Sequence, residues 1–244
     1  MKLIVDIGNT NSVYAILDGN NYVYKQRLSP NENIKNIINE ISNYNLDFIA
    51  IASVVPKQTK FHIDAFQKHF KVTPFVVNHK NANVKLDVDN INEVGADRIC
   101  NVKAALDIIN SNCIILDFGT ATTYDVINHK KQFIGGAIAP GIKVSALNLI
   151  NKAAMLNETN LVFPEKYIGK NTKTNIQSGV MFSAIHSIEG MIKNIKLELN
   201  GNTDIILTGG FSQLISTKLN IKHKLIPNLT LDGINLIHKE NINE

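Results

Sequence analysis

Short apolar runs punctuated by Gly, Asn and Asp organise the first seventy or so residues. Residues 3–7 are continuously apolar apart from Asp6 and end at Gly8-Asn9, the mark of a buried strand entering a tight turn. Residues 12–17 return as a second strand, Asp18-Gly19 supplies a hairpin turn, and residues 22–28 form a third strand. Pro30 opens a predicted helix whose Ile34, Ile37, Ile38 and Ile41 share one face. A buried strand over 48–53 and an amphipathic helix over 59–70 follow. The order is three strands, then strands alternating with helices.

The pattern then begins again. Ile114-Ile115-Leu116-Asp117 repeats the character of Leu3-Ile4-Val5-Asp6, and sliding Asp6 onto Asp117 also brings Gly8 onto Gly119. A second strand over 122–127, a polar turn at Asn128-His129 and a third strand over 132–138 follow. Helical patterns cover 143–153 and 177–199, and a strand over 204–207 runs into Thr208-Gly209-Gly210, with a helix starting near Ser212. A repeat this long predicts two similar α/β halves rather than a solenoid. The expected halves are residues 1–112 and 113–244.

Composition narrows the class. The 244 residues are 44% hydrophobic and 19% charged, which suits a folded protein with a sizeable core and excludes a disordered chain. The net charge of +4 is modest, and the basic clusters, such as His129-Lys130-Lys131 and Lys222-His223-Lys224, are too short for a nucleic-acid face. Cys100 and Cys113 lie in apolar stretches without metal-ligand spacing and read as buried thiols. Asp6 interrupts the N-terminal apolar run too early for a signal peptide, and no run is long enough for a membrane helix. The expectation is a cytoplasmic protein with no nucleic-acid or membrane partner.

The chemistry concentrates in the repeated loops. In Asp6-Ile7-Gly8-Asn9-Thr10 a carboxylate stands at a strand end, glycine lets the chain turn, and the following amides and hydroxyls face outward. Such a concavity accepts phosphate oxygens, and the carboxylate beside it can hold a hydrated Mg²⁺. One copy by itself reads as a plain hairpin in which Asp6 and Asn9 satisfy the turn. The second copy, Asp117-Phe118-Gly119-Thr120-Ala121, favours a paired clamp on a triphosphate and its cation. Thr208-Gly209-Gly210, between a strand and a helix, gives a flat nucleobase access to the backbone, or is simply a strand-to-helix turn. Neither a Walker A nor a Rossmann glycine pattern is present. Between the two loops, Gly95-Ala96-Asp97-Arg98 precedes a helical run over 102–109. There Asp97 either caps the helix, with Arg98 in a surface ion pair, or accepts a proton from a substrate hydroxyl while Arg98 holds an anionic group.

These three loops resemble the phosphate-1, phosphate-2 and adenosine motifs of the actin and hexokinase ATPase superfamily. More specifically, Asp6-Ile7-Gly8-Asn9-Thr10, Gly95-Ala96-Asp97-Arg98 and Asp117-Phe118-Gly119-Thr120-Ala121-Thr122-Thr123 resemble type III pantothenate kinases. Gly135-Gly136-Ala137-Ile138-Ala139-Pro140-Gly141, Gly169-Lys170-Asn171-Thr172 and Thr208-Gly209-Gly210 continue the likeness in order. The resemblance implies a duplicated actin-like (ribonuclease-H-like) α/β fold, with mixed five-stranded sheets flanked by helices and the active site in the cleft between halves. It implies ATP binding by Asp6, Ile7, Gly8, Asn9, Thr10, Asn11, Ser12, Val13, Thr120, Gly209 and Gly210, with Asp6 near Mg²⁺. Pantothenate falls to Gly95, Ala96, Asp97, Arg98 and Thr172, with Asp97 as general base. Asp117 is implied to bind potassium or ammonium, and the family works as a homodimer. One departure is that Val88 and Ile91 stand where such kinases commonly carry Tyr and Pro. Two other functions remain on the sequence: a kinase of another small hydroxy acid or sugar, opposed by Gly-x-Asp-Arg, and a non-catalytic regulatory relative, opposed by the intact Asp6, Asp97 and Asp117.

Overall fold

A computed structural model describes residues 1–29, 32–152 and 159–242. The chain forms two compact units, Met1–Ile108 with the segment from Leu229 onward, and Ile109–Asn228.

In the first unit, β1 (Lys2–Ile7), β2 (Ser12–Asp18) and β3 (Asn21–Leu28) form an antiparallel meander. Helix α1 (Ile34–Ile41) buries Ile34, Ile37, Ile38 and Ile41, the stripe expected from the spacing. Its N-cap is Asn33, whose side chain accepts from the Lys35 amide; Pro30, expected to open this helix, lies outside the described residues. Strand β4 (Phe48–Ser53) adds parallel to β1, helix α2 (Pro56–Phe70) crosses over, and β5 (Phe75–Val76) adds parallel to β4. The sheet order is therefore β3-β2-β1-β4-β5. Helix α2 starts three residues before the expected Thr59 because Pro56 occupies the first turn, where its missing N–H costs nothing. A two-residue strand β6 (Lys85–Leu86) and one 3₁₀ turn (Ile91–Glu93) precede helix α3 (Ala96–Ile108).

The second unit repeats this order: β7 (Asn112–Phe118), β8 (Ala121–Ile127) and β9 (Gln132–Pro140) are antiparallel. Helices α4 (Ile142–Lys152) and α5 (Thr172–Glu198) lead to β10 (Thr203–Gly209), parallel to β7. Helix α6 (Ser212–Ser216) connects to β11 (Lys224–Leu225), parallel to β10. The two units thus share one strand topology, in which β1, β2 and β4 correspond to β7, β8 and β10. This is the duplicated α/β architecture expected from the repeat.

Helix α5 and the segment from Leu229 also differ from expectation. Helix α5 begins at Thr172 rather than Gln177, held by a capping box in which Asn171 accepts from the Thr174 amide and Thr174 from the Asn171 amide. The segment from Leu229 forms helix α7 (Leu229–Ile242), which packs on α3 in the first unit instead of continuing the second half assigned to 113–244. Gly233 permits that packing, because a Cβ there would overlap the Cys100 carbonyl. Each sheet buries its own core, around Leu3, Val5, Ile37 and Phe66 in the first unit and Leu116, Phe118, Met181 and Leu207 in the second. Both cysteines are buried free thiols, as the apolar context indicated.

Candidate active site

The first Asp-x-Gly loop is the β1–β2 connection. Asp6 is the half-buried penultimate residue of β1, Ile7 ends the strand in the core, and Asn9 and Thr10 are exposed. The Gly8 amide donates to the Asn11 carbonyl at 3.0 Å, and the Val54 amide donates to Ile7 O at 3.1 Å. A Cβ at residue 8 would lie 3.2 Å from Asn11 O, so glycine keeps the turn tight. Asn11 Nδ2 donates to Thr10 Oγ1 at 3.1 Å and fixes that hydroxyl at the loop tip.

The second loop repeats these bonds between β7 and β8. The Gly119 amide donates to Ala121 O at 3.0 Å, and the Gly210 amide donates to Phe118 O at 3.0 Å. Thr208-Gly209-Gly210 was expected as a turn, but Thr208 and Gly209 complete β10 and the turn follows them. There Ser212 Oγ donates to Gly209 O at 2.7 Å. Gly141, the end of the segment 135–141, also packs against this loop. Its amide donates to Thr120 O at 3.1 Å, and a Cβ on it would lie 2.7 Å from Gly119 O.

The two carboxylates have different neighbours. Asp6 lies opposite Val13 on β2 and Ala52 on β4. Asp117 lies opposite Thr123 on β8 and Thr208 on β10, and directly opposed residues share a sheet face. Thr123 Oγ1 is buried without a hydrogen-bond partner. A carboxylate flanked by hydroxyls, one of them unsatisfied, is an all-oxygen donor set of the kind that hard cations prefer.

Gly95 to Arg98 lies in the first unit, at the start of α3. Asp97 is the second residue of the helix, not its cap, and its Oδ1 accepts from the Arg98 amide at 2.8 Å. A Cβ on Gly95 would overlap Asp97 Oδ1 and lie 3.2 Å from Cγ1 of Val54, the residue bonded to Ile7 O. Burial pushes the Asp97 carboxyl above the usual carboxylate range, against the lowering effects of the Arg98 amide and guanidinium. Burial also pushes the Cys100 thiol well up, and the charges of Asp6 and Asp97 add to the effect. Asp6 and Asp97, far apart in sequence, therefore act on one buried atom of the same unit.

Thr172 opens α5. A Cβ on Gly169 would lie 2.6 Å from the Asn175 amide, so the Gly-Lys-Asn-Thr segment is built to bring the chain close over a helix start. Thr172 lines a cavity of about 730 Å³ in the second unit, with Tyr124, Pro140, Ser145, Asn175 and Ser183 also on its walls. No local periodicity marks this cavity, because its walls come from β8, β9, α4 and α5. Val88 is half-buried and Ile91 exposed on the segment before Gly95. Among the described residues no three His, Cys, Asp or Glu side chains converge as a metal site, and no helix is long and apolar enough to cross a membrane.

A family profile described as type III pantothenate kinase matches residues 2–194. The chain is similar to a type III pantothenate kinase of Halalkalibacterium halodurans, 34% identical over 99% of this chain and 100% of the relative. It is 36% identical to one of Dehalococcoides mccartyi, over 98% and 96% of the two chains. Among solved structures, a Campylobacter jejuni protein described as a Baf-family transcriptional activator superposes with a TM-score of 0.63 at 21% identity, covering 99% of this chain and all of that one. Component A of the Acidaminococcus fermentans (R)-2-hydroxyglutaryl-CoA dehydratase gives 0.58 at 11% identity, over 100% and 99% of the chains. At these identities the structural likenesses speak for the shared fold.

Proposed function

We infer the function from the family to which this chain belongs, the type III pantothenate kinases: it phosphorylates pantothenate with ATP, giving 4'-phosphopantothenate at the entry to coenzyme A synthesis. The observation that carries the reading is the Asp97 carboxylate. It is seated against a glycine at the head of α3, raised in proton affinity by burial, and shares its unit with the Asp6 loop.

Residues 6–13 bind the ATP phosphates through loop amides and the Thr10 and Ser12 hydroxyls, and Thr120, Gly209 and Gly210 are further ATP-binding residues. Gly95, Ala96, Arg98 and Thr172 hold pantothenate, with the Arg98 guanidinium on the substrate carboxylate. Asp97 takes the proton of the primary hydroxyl as its oxygen forms a bond to the γ-phosphorus. The bond from that phosphorus to the β,γ-bridging oxygen breaks, and ADP leaves with the electron pair. Positioning and charge neutralisation supply most of the acceleration, since phosphoryl transfer asks for little covalent help. Mg²⁺ would be held by the nucleotide and Asp6, and potassium or ammonium by Asp117 with the neighbouring threonine hydroxyls. When bound, these ions neutralise phosphate charge.

The protein acts in the cytoplasm as a homodimer, the state the family resemblance implies. Tyr167 and Ile168, exposed in the second unit, offer apolar surface for such an interface. The direct test is ADP release from ATP with and without pantothenate in potassium buffer, with the product identified by mass. Pantothenate-independent ADP release, or none at all, would overturn the reading.

A further inference from the structure

We propose that Gly209 is a positioning residue for the Asp117 carboxylate, in addition to any contact it makes with nucleotide. The inference rests on the reading of Asp117 as the monovalent-cation ligand.

Gly209 closes β10 directly opposite Phe118, one residue beyond the Thr208–Asp117 pair. Its φ of 85° lies in the left-handed region. A Cβ on it would overlap Asp117 Oδ1 and stand 2.6 Å from the Phe118 amide nitrogen. The Asp117 oxygen therefore occupies the space that a side chain at residue 209 would take. This fixes the carboxylate between β10 and the threonine of β8 whose buried Oγ1 has no hydrogen-bond partner.

The duplication supplies an internal comparison. Ser53 holds the corresponding place in the first unit, opposite Ile7, the last residue of β1. That residue carries a Cβ, and Ser53 Oγ accepts from the Val55 amide at 3.1 Å. The bond that follows it, Val54 amide to Ile7 O, matches that from the Gly210 amide to Phe118 O. Ser53 carries its side chain on backbone outside the left-handed region, whereas Gly209 takes a φ of 85°. The second unit differs in that left-handed backbone and in the carboxylate lying in the Cβ space, so the glycine serves the turn and the carboxylate together.

The test compares the parent with Gly209→Ala, Asp117→Asn and Gly201→Ala. Gly201 also has a positive φ, 100°, but a Cβ there meets only Asn112 Nδ2 at 3.9 Å, so Gly201→Ala carries the backbone strain alone. Each protein is titrated with potassium chloride at constant ionic strength. Two quantities are read: the potassium-dependent rise in melting temperature without ATP, and the half-saturating potassium for turnover. Gly209→Ala is expected to raise the half-saturating potassium by at least about tenfold, the scale on which residues that hold a metal ligand in place act, and to shrink the melting response. Asp117→Asn should lose both responses, and Gly201→Ala should match the parent.

A parent-like potassium response in Gly209→Ala, with Asp117→Asn silent, overturns the positioning role and leaves the cation site standing. A higher KM for ATP with an unchanged potassium response overturns it too, since that is a glycine serving only the nucleobase. A parent-like response in Asp117→Asn overturns both readings. An equal shift in Gly201→Ala assigns the effect to strain and also overturns the role. If Gly209→Ala fails to fold, the Asp117→Ala background decides: partial recovery supports the overlap with Oδ1, and no recovery overturns it.

Discussion

Gly95 and Asp97 occupy shared space: the position a Cβ would take on residue 95 is filled by Oδ1 of Asp97. The second side chain of α3 therefore folds back over the residue before the helix, where its oxygen accepts from the Arg98 amide. The proposed base owes its place to the absence of a neighbouring side chain.

Gly95→Ala should accordingly displace the carboxylate while leaving its charge in the protein. The expected result is a fall in kcat of about 10²-fold, the cost of a misplacement near 1 Å, with ATP affinity by calorimetry near the parent value. A parent-like kcat would show that the carboxylate works equally well elsewhere.

Asp97→Asn keeps ATP binding and is expected to lose about 10²- to 10⁴-fold in turnover, the usual contribution of a positioned base. The parent enzyme should gain activity as Asp97 ionises, along an acid limb centred above the ordinary carboxylate range, because burial raises its pKa. The same shift bears on stability. A carboxyl whose folded pKa exceeds its unfolded one costs nothing below the unfolded value and destabilises the fold as pH rises through the folded value. Asp97→Asn should therefore melt no lower than the parent at pH 8, and a pronounced drop in melting temperature would contradict this.

Arg98→Lys tests recognition rather than chemistry. A lysine keeps the charge but loses the planar fork that grips a carboxylate. An increase of about tenfold in the KM for pantothenate, with the KM for ATP steady, is expected from the strength of a charge-assisted hydrogen bond.

Replacing potassium by sodium should lower turnover in the parent and have no effect in Asp117→Asn. Steady-state rates at matched ionic strength check this, and equal rates in the two salts for the parent would remove Asp117 from its proposed role.

Away from the site, His62 on α2 is buried and spans two elements. Its Nδ1 donates to Gln58 O at 2.7 Å, which leaves Nε2 to accept from the Tyr14 hydroxyl at 2.6 Å. Burial lowers the imidazole pKa, and it pushes the Tyr14 hydroxyl up to about 12. Because the folded protein resists protonating His62, stability present above the ordinary histidine range is lost as pH falls below it. The urea midpoint should decline from pH 7 to pH 5, and His62→Gln should flatten that decline. Tyr14→Phe, which leaves Nε2 unsatisfied, is expected to cost about 1–3 kcal/mol at pH 7.

Much of this was legible from local sequence. The Asp-x-Gly hairpins, the α1 stripe at Ile34, Ile37, Ile38 and Ile41 and the β4 strand at 48–53 emerged where the periodicity placed them, because residues a few positions apart set turn geometry and side-chain direction. Element ends were less legible. Helix α3 starts at Ala96, well before the apolar run at residue 102, because Asp97 and Arg98 are polar yet helical.

The order of residues alone establishes a duplicated α/β protein with an Asp-x-Gly turn in each copy and a Gly-x-Asp-Arg segment between them. Which partners those residues meet was settled by three-dimensional packing. It set Asp117 between two threonines and Asp6 between Val13 and Ala52, seated Asp117 in the space left by Gly209, returned α7 to the first unit, and opened a cavity beside Thr172. Turns and helical faces follow from near neighbours, whereas the register of strands and the packing of distant helices follow from burying apolar faces together. The chemistry of each aspartate depends on that second kind of choice.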